Sequence, residues 1–355
     1  MYPCRVTRTL AARDGQSAND FQLLRTIAAV TVIVSHAFPL ATGMADAEPF
    51  NRSGWTPGAC AVTVFFAMSG FLIAGSFERQ PDFTRFALAR ARRLFPAYFA
   101  ALLFVVLVVG AGATTLEAAA YFAHPDTWRF VTSNAVFDSS IKALPGVFVD
   151  NPHQWTVNGS LWSLRIEVLC YALLYIAGRL GLLHRARIGW FVAGAIGVTV
   201  WMRVQAPGGP LPHVVPSFLT GMLLYAFRQR VPASAPLFVL LVAASWMTHG
   251  LPVHPELARA TIAYGALSFA TGSTWAGRRV AGGGDYSYGL YLYGWPVTQM
   301  IVWAWPGIGV AALLALALPT TASLAFASWH WIERPALRGR RPATRQRRAM
   351  LAAAG

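Results

Sequence analysis

Two ionisable residues, Arg25 and His36, stand in an otherwise apolar stretch, LLRTIAAVTVIVSHAF. Ionisable side chains inside a bilayer are costly, so each is a candidate for function. Their spacing of eleven residues places them on one face of a helix, about 16 Å apart along its axis. A guanidinium at the membrane mouth matches phosphate, and a deeper imidazole could act as general base on a hydroxyl. This geometry fits a CoA thioester. The pair alone is also compatible with a snorkelling arginine and a packing histidine.

A second basic group lies in the segment FTRFALARARRLFP, residues 83–96. Arg90 and Arg93 are three residues apart, so they share a helix face at the start of an apolar segment. With Arg25 they could form a site for an anionic ligand at the membrane surface. A basic loop that only orients the protein in the membrane would have the same sequence.

A buried acid is predicted in the segment WTVNGSLWSLRIEVLCY, residues 155–171. Glu167 falls roughly 13 Å into an apolar helix, where a carboxylate needs a partner such as His36 or an arginine. Arg165 is two positions away and cannot share a face with Glu167. Glu167 could therefore orient a catalytic His36, or form a purely structural ion pair.

Two further segments supply candidates for pocket lining, namely Ser69, Trp162 and Tyr291. In VFFAMSGFLIA, Ser69 and Gly70 are small residues that allow close helix approach. In DYSYGLYLYGWPV, aromatic residues and Pro296 could kink a helix or line a cavity. Packing alone also explains both segments.

The elements that must hold these residues are membrane helices. The 355 residues are 55% hydrophobic and 12% charged, about half the charge of a typical soluble domain. The apolar residues form blocks of roughly 20, the length that crosses a bilayer. We predict an all-α bundle of about ten spans: 21–41, 59–77, 92–112, 159–178, 188–204, 213–229, 234–250, 256–274, 286–304 and 308–329. A long loop, 113–158, follows the third span.

The positive charge of +15 follows the connections between these spans. Alternate connections contain most of the arginines, while the others are mainly acidic, which predicts that both termini are cytoplasmic. This distribution argues against nucleic-acid binding. Cleavage of a signal peptide near Ala45-Asp46-Ala47 is disfavoured, because a long segment precedes the apolar run and the run contains His36 and Pro39. We divide the chain into an N-terminal tail (1–19), a transmembrane domain (20–333) and a basic C-terminal tail (334–355).

Cys4, Cys60 and Cys170 lie far apart, so the sequence implies neither a disulfide framework nor a metal site.

Together these segments resemble acyltransferase family 3, membrane proteins that O-acylate polysaccharides, peptidoglycan and related molecules. The motifs that carry the resemblance are Arg25 with His36; Phe65, Phe66, Ser69 and Gly70; Arg90, Arg93 and Pro96; Ser160 to Leu164 with Glu167; Ser287 to Leu292; and Glu333 with Pro335. They cover nearly the whole chain in order.

The resemblance implies ten membrane helices, acyl-CoA bound from the cytoplasm, and His36 as the catalytic residue. It also implies transfer to an acceptor outside the cytoplasm. Gly294 stands where many members have histidine, and Arg165 stands where proline is common. The hydrolase-like domain fused to some members is absent, so any such partner would be a separate envelope protein.

The sequence thus predicts an acyltransferase of the bacterial inner membrane, with acyl-CoA, preferably acetyl-CoA, as co-substrate and no bound cofactor. The acceptor would be a hydroxyl of exopolysaccharide, O-antigen or another glycan; a cytoplasmic acceptor such as a macrolide or nodulation factor stays open. His36 and Glu167 would be catalytic, and Arg25, Arg90 and Arg93 would bind acyl-CoA. A glycan or lipid-linked-sugar transporter is the alternative, although the internal repeats common in transporters are not seen. A membrane scaffold is a third interpretation.

Overall fold

The computed structural model describes residues 8–11, 19–206 and 208–338, and every regular element in these ranges is a helix. The all-α prediction is therefore confirmed. Most of the two predicted tails, including Cys4 and the arginines after Arg338, lies outside the described residues. The helices are α1 (Phe21–Thr42), α2 (Pro57–Arg79), α3 (Phe83–Phe104), α4 (Ala111–Ala113), α5 (Ala118–Ala123), α6 (Pro125–Ala135), α7 (Trp162–Arg179), α8 (Ile188–Gln205), α9 (Leu211–Ala226), α10 (Ala235–Met247), α11 (His254–Ala270), α12 (Trp275–Gly283), α13 (Ser287–Ala304), α14 (Val310–Ser328) and α15 (Arg334–Arg338).

Each of the ten predicted spans coincides with one of these helices. Six of the helical segments are long and apolar enough to cross a membrane, and α9 and α10 are apolar but shorter. The six are Phe21–Thr42, Pro57–Arg79, Phe83–Ala113, Gly159–Arg179, Ile188–Gln205 and Val310–Arg338. The chain is thus built as a multi-pass membrane protein.

The third span begins nine residues before its predicted start at residue 92. The carboxylate of Asp82 caps α3 by accepting a hydrogen bond from the Arg85 amide at 2.8 Å. The basic run is therefore helical, because alanine, leucine and arginine all favour helix. Hydropathy alone does not reveal these first turns of α3, because their charged residues lower the mean hydropathy of the segment. The same helical segment ends through a π turn, Val105–Gly110, and α4.

The predicted long loop is partly helical and is packed onto the bundle. It contains α5 and α6. The Tyr121 hydroxyl of α5 donates to the Val106 carbonyl at 3.0 Å, and the Tyr98 hydroxyl of α3 donates to the Asn134 carbonyl at 2.8 Å. Both tyrosines are almost fully buried. These contacts fix the segment between α3 and α7 against the end of the bundle.

Glycines allow the closest contacts between the helices that carry the candidate site residues. A Cβ on Gly70 of α2 would lie 2.0 Å from the Phe218 carbonyl oxygen of α9, and a Cβ on Gly221 would lie 2.0 Å from that of Ala67. The small-residue contact predicted at Gly70 is thus present. A Cβ on Gly294 of α13 would lie 2.7 Å from the Cγ1 atom of the Ile33 side chain in α1. A histidine at position 294 would therefore have to displace Ile33.

Contacts between connections tie together one end of the bundle. The Leu10 amide, which precedes α1, donates to the Val231 carbonyl after α9 at 3.0 Å. Arg228, in the same connection, pairs with Glu78 at the end of α2 at 3.0 Å. These residues lie at the end where α1 begins, near Arg25. We call it the Arg25 end and the opposite one the His36 end.

Candidate active site

Two neighbouring cavities contain the predicted site residues. The first, of about 440 Å³, is lined by Arg25, Arg90, Arg93, Ser69 and Glu167, and we call it the Arg25 cavity. The second, of about 540 Å³, is lined by His36 and Trp162, and we call it the His36 cavity. Val62 and Tyr291 line both cavities. The side chains of α2 and α13 thus form the boundary between them.

The Arg25 cavity is held by an ion-pair network with two acids. Asp285, just before α13, contacts Arg93 at 2.6 Å and Arg25 at 3.3 Å. Arg93 also contacts Glu333 at 3.2 Å, and the Glu333 side chain is only 2% exposed. Burial alone would raise the pKa of Asp285, but the two guanidiniums and Ser287 lower it to about 2. The carboxylate is therefore charged and fixes both arginines.

Sequence reasoning did not single out Asp285 or Glu333 as site residues. Each was seen only as part of a motif. The sequence signal that the two share is an acidic residue beside an apolar segment. It could have been noticed, because the whole chain has only 14 acidic residues. Which arginine each acid meets depends on how α1, α3, α13 and the turn after α14 pack.

Arg90 is oriented by different contacts from Arg93. Its Nη2 donates to the Ser76 hydroxyl of α2 at 3.1 Å. Its guanidinium also lies over the rings of Phe86 and Tyr171, at 5.3 and 6.0 Å from their centroids. A planar guanidinium between aromatic rings is preorganised for fork-like recognition of phosphate.

Glu167 belongs to the Arg25 cavity and is not paired with His36. It accepts hydrogen bonds from the Tyr171 hydroxyl and, at 3.3 Å, from the Ser69 hydroxyl. No hydrogen bond joins it to His36 in the described part of the chain. The predicted orientation of His36 by Glu167 is therefore absent. Tyr171, one helical turn from Glu167, satisfies the carboxylate locally.

His36 is held by aromatic packing. Its ring lies edge-on to Trp295, with centroids 4.8 Å apart, and His153 meets the same indole at 5.4 Å. The indole Nε1 donates to the Thr156 carbonyl at 3.0 Å, which fixes the ring that orients His36. Within the described residues the His36 imidazole makes no hydrogen bond. Its nitrogens are thus available to a ligand in the cavity.

Tyr291 forms the polar part of the boundary. Its hydroxyl lies 2.6 Å from the Ser163 hydroxyl and donates to the Ser160 carbonyl at 2.5 Å. Both serines belong to the segment that leads into α7. The predicted lining residues therefore separate: Ser69 faces the Arg25 cavity, Trp162 the His36 cavity, and Tyr291 both.

A further acid, Glu48, lines the His36 cavity and was not among the site residues predicted from the sequence. The Ser35 hydroxyl, next to His36, donates to the Glu48 carboxylate and accepts from the Gly58 amide at 2.7 Å. Burial raises the pKa of Glu48, although hydrogen bonds from Thr56 and Gly58 oppose the shift. Glu48 belongs to the connection between α1 and α2, where residues follow no helical periodicity. The sequence pattern therefore could not predict that it lines the same cavity as His36.

Arg165 has a weak surface partner. It lies 3.9 Å from Asp138 of the segment after α6, and both side chains are largely exposed. This residue belongs to neither cavity. Among the described residues, no cluster of three or more His, Cys, Asp or Glu side chains could hold a metal ion.

The comparison with known families decides what this arrangement is. The model of the acyltransferase domain Acyl_transf_3 matches residues 19–332. The chain belongs to acyltransferase family 3. The resemblance inferred from the motifs is confirmed, and with it the prediction of an O-acyltransferase.

Two relatives of this family member match over nearly their whole length. The O-acetyl transferase of Shigella phage Sf6 is 27% identical over 334 residues, covering 89% of this chain and 95% of that protein. Nodulation protein 10 of Rhizobium leguminosarum bv. viciae is 25% identical over 365 residues, covering 90% and 93%. No solved structure matches significantly.

Proposed function

We propose that this protein transfers an acyl group, preferably acetyl, from acyl-CoA to a hydroxyl of a carbohydrate such as exopolysaccharide or O-antigen. Acyl-CoA would bind in the Arg25 cavity and the acceptor in the His36 cavity. The observation that carries the proposal is that these cavities meet at Val62 and Tyr291. One of the two relatives is named an O-acetyl transferase, which supports acetyl as the group.

The dimensions suit an extended thioester. Arg25 and His36 stand on one face of α1 about 16 Å apart along the axis. Arg25, Arg90 and Arg93 would hold the CoA phosphates, while the pantetheine arm extends between α2 and α13. The boundary at Tyr291 would then lie beside the thioester carbonyl.

The reaction needs one proton acceptor at the His36 end. The acceptor hydroxyl attacks the thioester carbonyl carbon as neutral His36 takes its proton, so a C–O bond forms. The tetrahedral intermediate then collapses, the C–S bond breaks, and the CoA thiolate takes the proton. General base catalysis of this kind contributes about 10²–10⁴-fold. Glu48 and Ser35 would form the polar surroundings of His36. Glu167 would contact the acyl-CoA, because it lines the Arg25 cavity.

The membrane arrangement belongs to the same proposal. All ten apolar helices would cross the bacterial inner membrane, with both termini in the cytoplasm. The clustering of arginine-rich connections at the Arg25 end supports a cytoplasmic Arg25 end. At this end the residues before α1 pair with the connection after α9, which in turn pairs with the end of α2, as is expected if the helices alternate in direction. The donor would thus enter from the cytoplasm and the acceptor from outside.

The test uses purified full-length protein in liposomes with acetyl-CoA labelled in the acetyl group and an envelope glycan extract. Label should appear in the glycan with wild type, and His36→Gln should lower this rate by at least about 100-fold. His330→Gln is the matched control, because His330 lines neither cavity. It should keep wild-type activity.

A second measurement separates chemistry from folding. His36→Gln should bind acetyl-CoA as wild type does and keep its thermal midpoint, because His36 makes no hydrogen bond in the described chain. Full transfer by His36→Gln would contradict the assignment of the base. If wild type moves glycan across the liposome membrane but transfers no acetyl group, the protein is a transporter and the proposal fails.

A further inference from the structure

A basic cluster occupies one corner of the His36 cavity. Arg203 of α8 and Arg259 of α11 both line it. Each donates to the same carboxylate oxygen, Glu256 Oε1, at 2.7 and 2.9 Å respectively. Three helices meet here, because Arg259 also reaches α9. None of these residues belongs to the motifs that carry the family resemblance.

Arg259 is fixed on three sides. Its Nε donates to the His213 carbonyl at 2.9 Å, its Nη1 donates to Glu256, and its guanidinium lies 5.7 Å from the Trp55 ring centroid. The residue is only 6% exposed. A guanidinium held this rigidly loses little entropy when it binds a ligand.

The charges in this corner do not balance. Two guanidiniums share one carboxylate, so one positive charge lacks a counter-charge in the cluster. The second oxygen of Glu256, Oε2, is buried and accepts no hydrogen bond in the described chain. Buried charges and buried polar atoms are costly unless they are paired. The unbalanced charge of the two arginines, which do line the cavity, points to a ligand that brings an anionic group.

We infer that this corner recognises an acidic group of the acceptor, a carboxylate or phosphate carried by the carbohydrate. The inference rests on the proposed function and narrows its substrate class. Arg203 and Arg259 would bind the anion, and Trp55, which also lines the cavity, would contact the sugar ring. These contacts would place a hydroxyl of the same acceptor near His36.

Glu48 lines the same cavity but forms no ion pair with Arg203 or Arg259 in the described chain. Glu48 contacts Ser35, beside His36, rather than the arginine pair. The cavity therefore has a basic corner at Arg203 and Arg259 and a separate acid, Glu48, that is hydrogen-bonded beside His36.

The experiment measures binding of an oligosaccharide containing glucuronate and of the same oligosaccharide with its carboxyl groups reduced to alcohols. A sugar phosphate and its dephosphorylated form make a second pair. Full-length wild type, Arg203→Gln and Arg203→Lys are compared in neutral detergent, with and without phosphatidylglycerol. Arg129→Gln is the matched control, because Arg129 is an exposed arginine of α6 outside the cavity. No acyl-CoA is present, so the result does not depend on turnover.

Wild type should bind at least one acidic form tenfold or more tightly than its neutral partner. Arg203→Gln should reduce this preference below threefold, Arg203→Lys should keep part of it, and Arg129→Gln should keep all of it. No acidic preference in wild type, measured without any variant, would overturn the inference. So would a preference that survives in folded Arg203→Gln, or an Arg203 effect confined to phosphatidylglycerol. Acidic preference without acetyl transfer would sustain the site while the proposed function fails.

Discussion

At the scale of single residues, Asp285 decides where two positive charges lie. Arg25 and Arg93 come from different helices, and this carboxylate contacts both. Like charges so close together would separate without it. The phosphate-binding geometry that we propose for the donor therefore depends on an acid that would never touch the acyl group.

Asp285→Asn should lower the free energy of unfolding by on the order of 3 kcal/mol, because it leaves two partly buried guanidiniums without their shared counter-charge. The pKa of Asp285 in the folded protein is about 2, below its ordinary 3.8. Its charge therefore stabilises the fold fully above pH 3.8, and this stabilisation disappears as the pH falls towards 2. Thermal unfolding in detergent between pH 3 and 8 measures the difference between variant and wild type.

Asp138→Asn is the control for Asp285→Asn, because Asp138 forms an exposed and longer contact with Arg165. Such pairs contribute roughly 0–1 kcal/mol. The control should shift the thermal midpoint little at any pH. Equal stability losses in the two variants, or a loss for Asp285→Asn that grows as the pH falls, would show that Asp285 does not organise the cavity.

The sequence identifies which residues need partners but not which partners they find. Arg25, Arg90, Arg93 and Glu167 stand out because a bilayer penalises their charges, and the structure brings all four to one cavity. The expected contact of Glu167 with His36 fails, because Tyr171 on the same helix is nearer. A buried carboxylate therefore finds its partner first within one turn of its own helix, where the contact does not depend on how the helices pack.

At the scale of elements, the close contact between α2 and α9 positions α2, a helix that lines both cavities. Glycines make it possible, since the backbones of Gly70 and Gly221 approach the carbonyl oxygens of the facing helix. Helix association in membranes depends on such small residues, because lipid provides no hydrophobic drive between helices. Residues of α2 line both cavities, so a displaced α2 would change the shape of both.

Gly221→Ala should destabilise the protein by about 1–3 kcal/mol, because the new Cβ would lie 2.0 Å from the Ala67 carbonyl oxygen and force the helices apart. Gly197→Ala, in α8, is the matched control. A Cβ at position 197 would meet nothing within 4 Å, and alanine favours helix over glycine. Thermal midpoints in detergent should fall for the first variant and stay or rise for the second. Equal midpoints would contradict the tight contact.

Apolar blocks in the sequence predict the long helices well, because a helix that crosses a membrane must be both long and apolar. The ten predicted segments all coincide with helices. The start of α3 is missed because its first turns are basic, and α5 and α6 are missed because they are short. The Gly70 contact is foreseeable from its small residues, whereas its partner Gly221 follows only from helix packing.

At the scale of the whole molecule, our proposal assigns the donor to one cavity and the acceptor to the other, toward opposite ends of the bundle. The arginine network lies at the end where the connections are basic, and His36 lies toward the other. Acyl-CoA and a polymeric glycan are both too polar to cross a bilayer unaided. A protein with one cavity for each would let the substrates meet without either crossing completely.

This arrangement predicts strict sidedness in sealed proteoliposomes of known orientation. Acetyl transfer should occur when acetyl-CoA is on the Arg25 side and the glycan is on the His36 side, because each substrate then faces its own cavity. With both substrates on either single side, transfer should fall by at least about tenfold, and permeabilising the membrane with detergent should restore it. The measurement is label in recovered glycan, with protease protection of a C-terminal tag reporting orientation. Full transfer with both substrates on the Arg25 side would contradict the assignment of the acceptor to the His36 cavity.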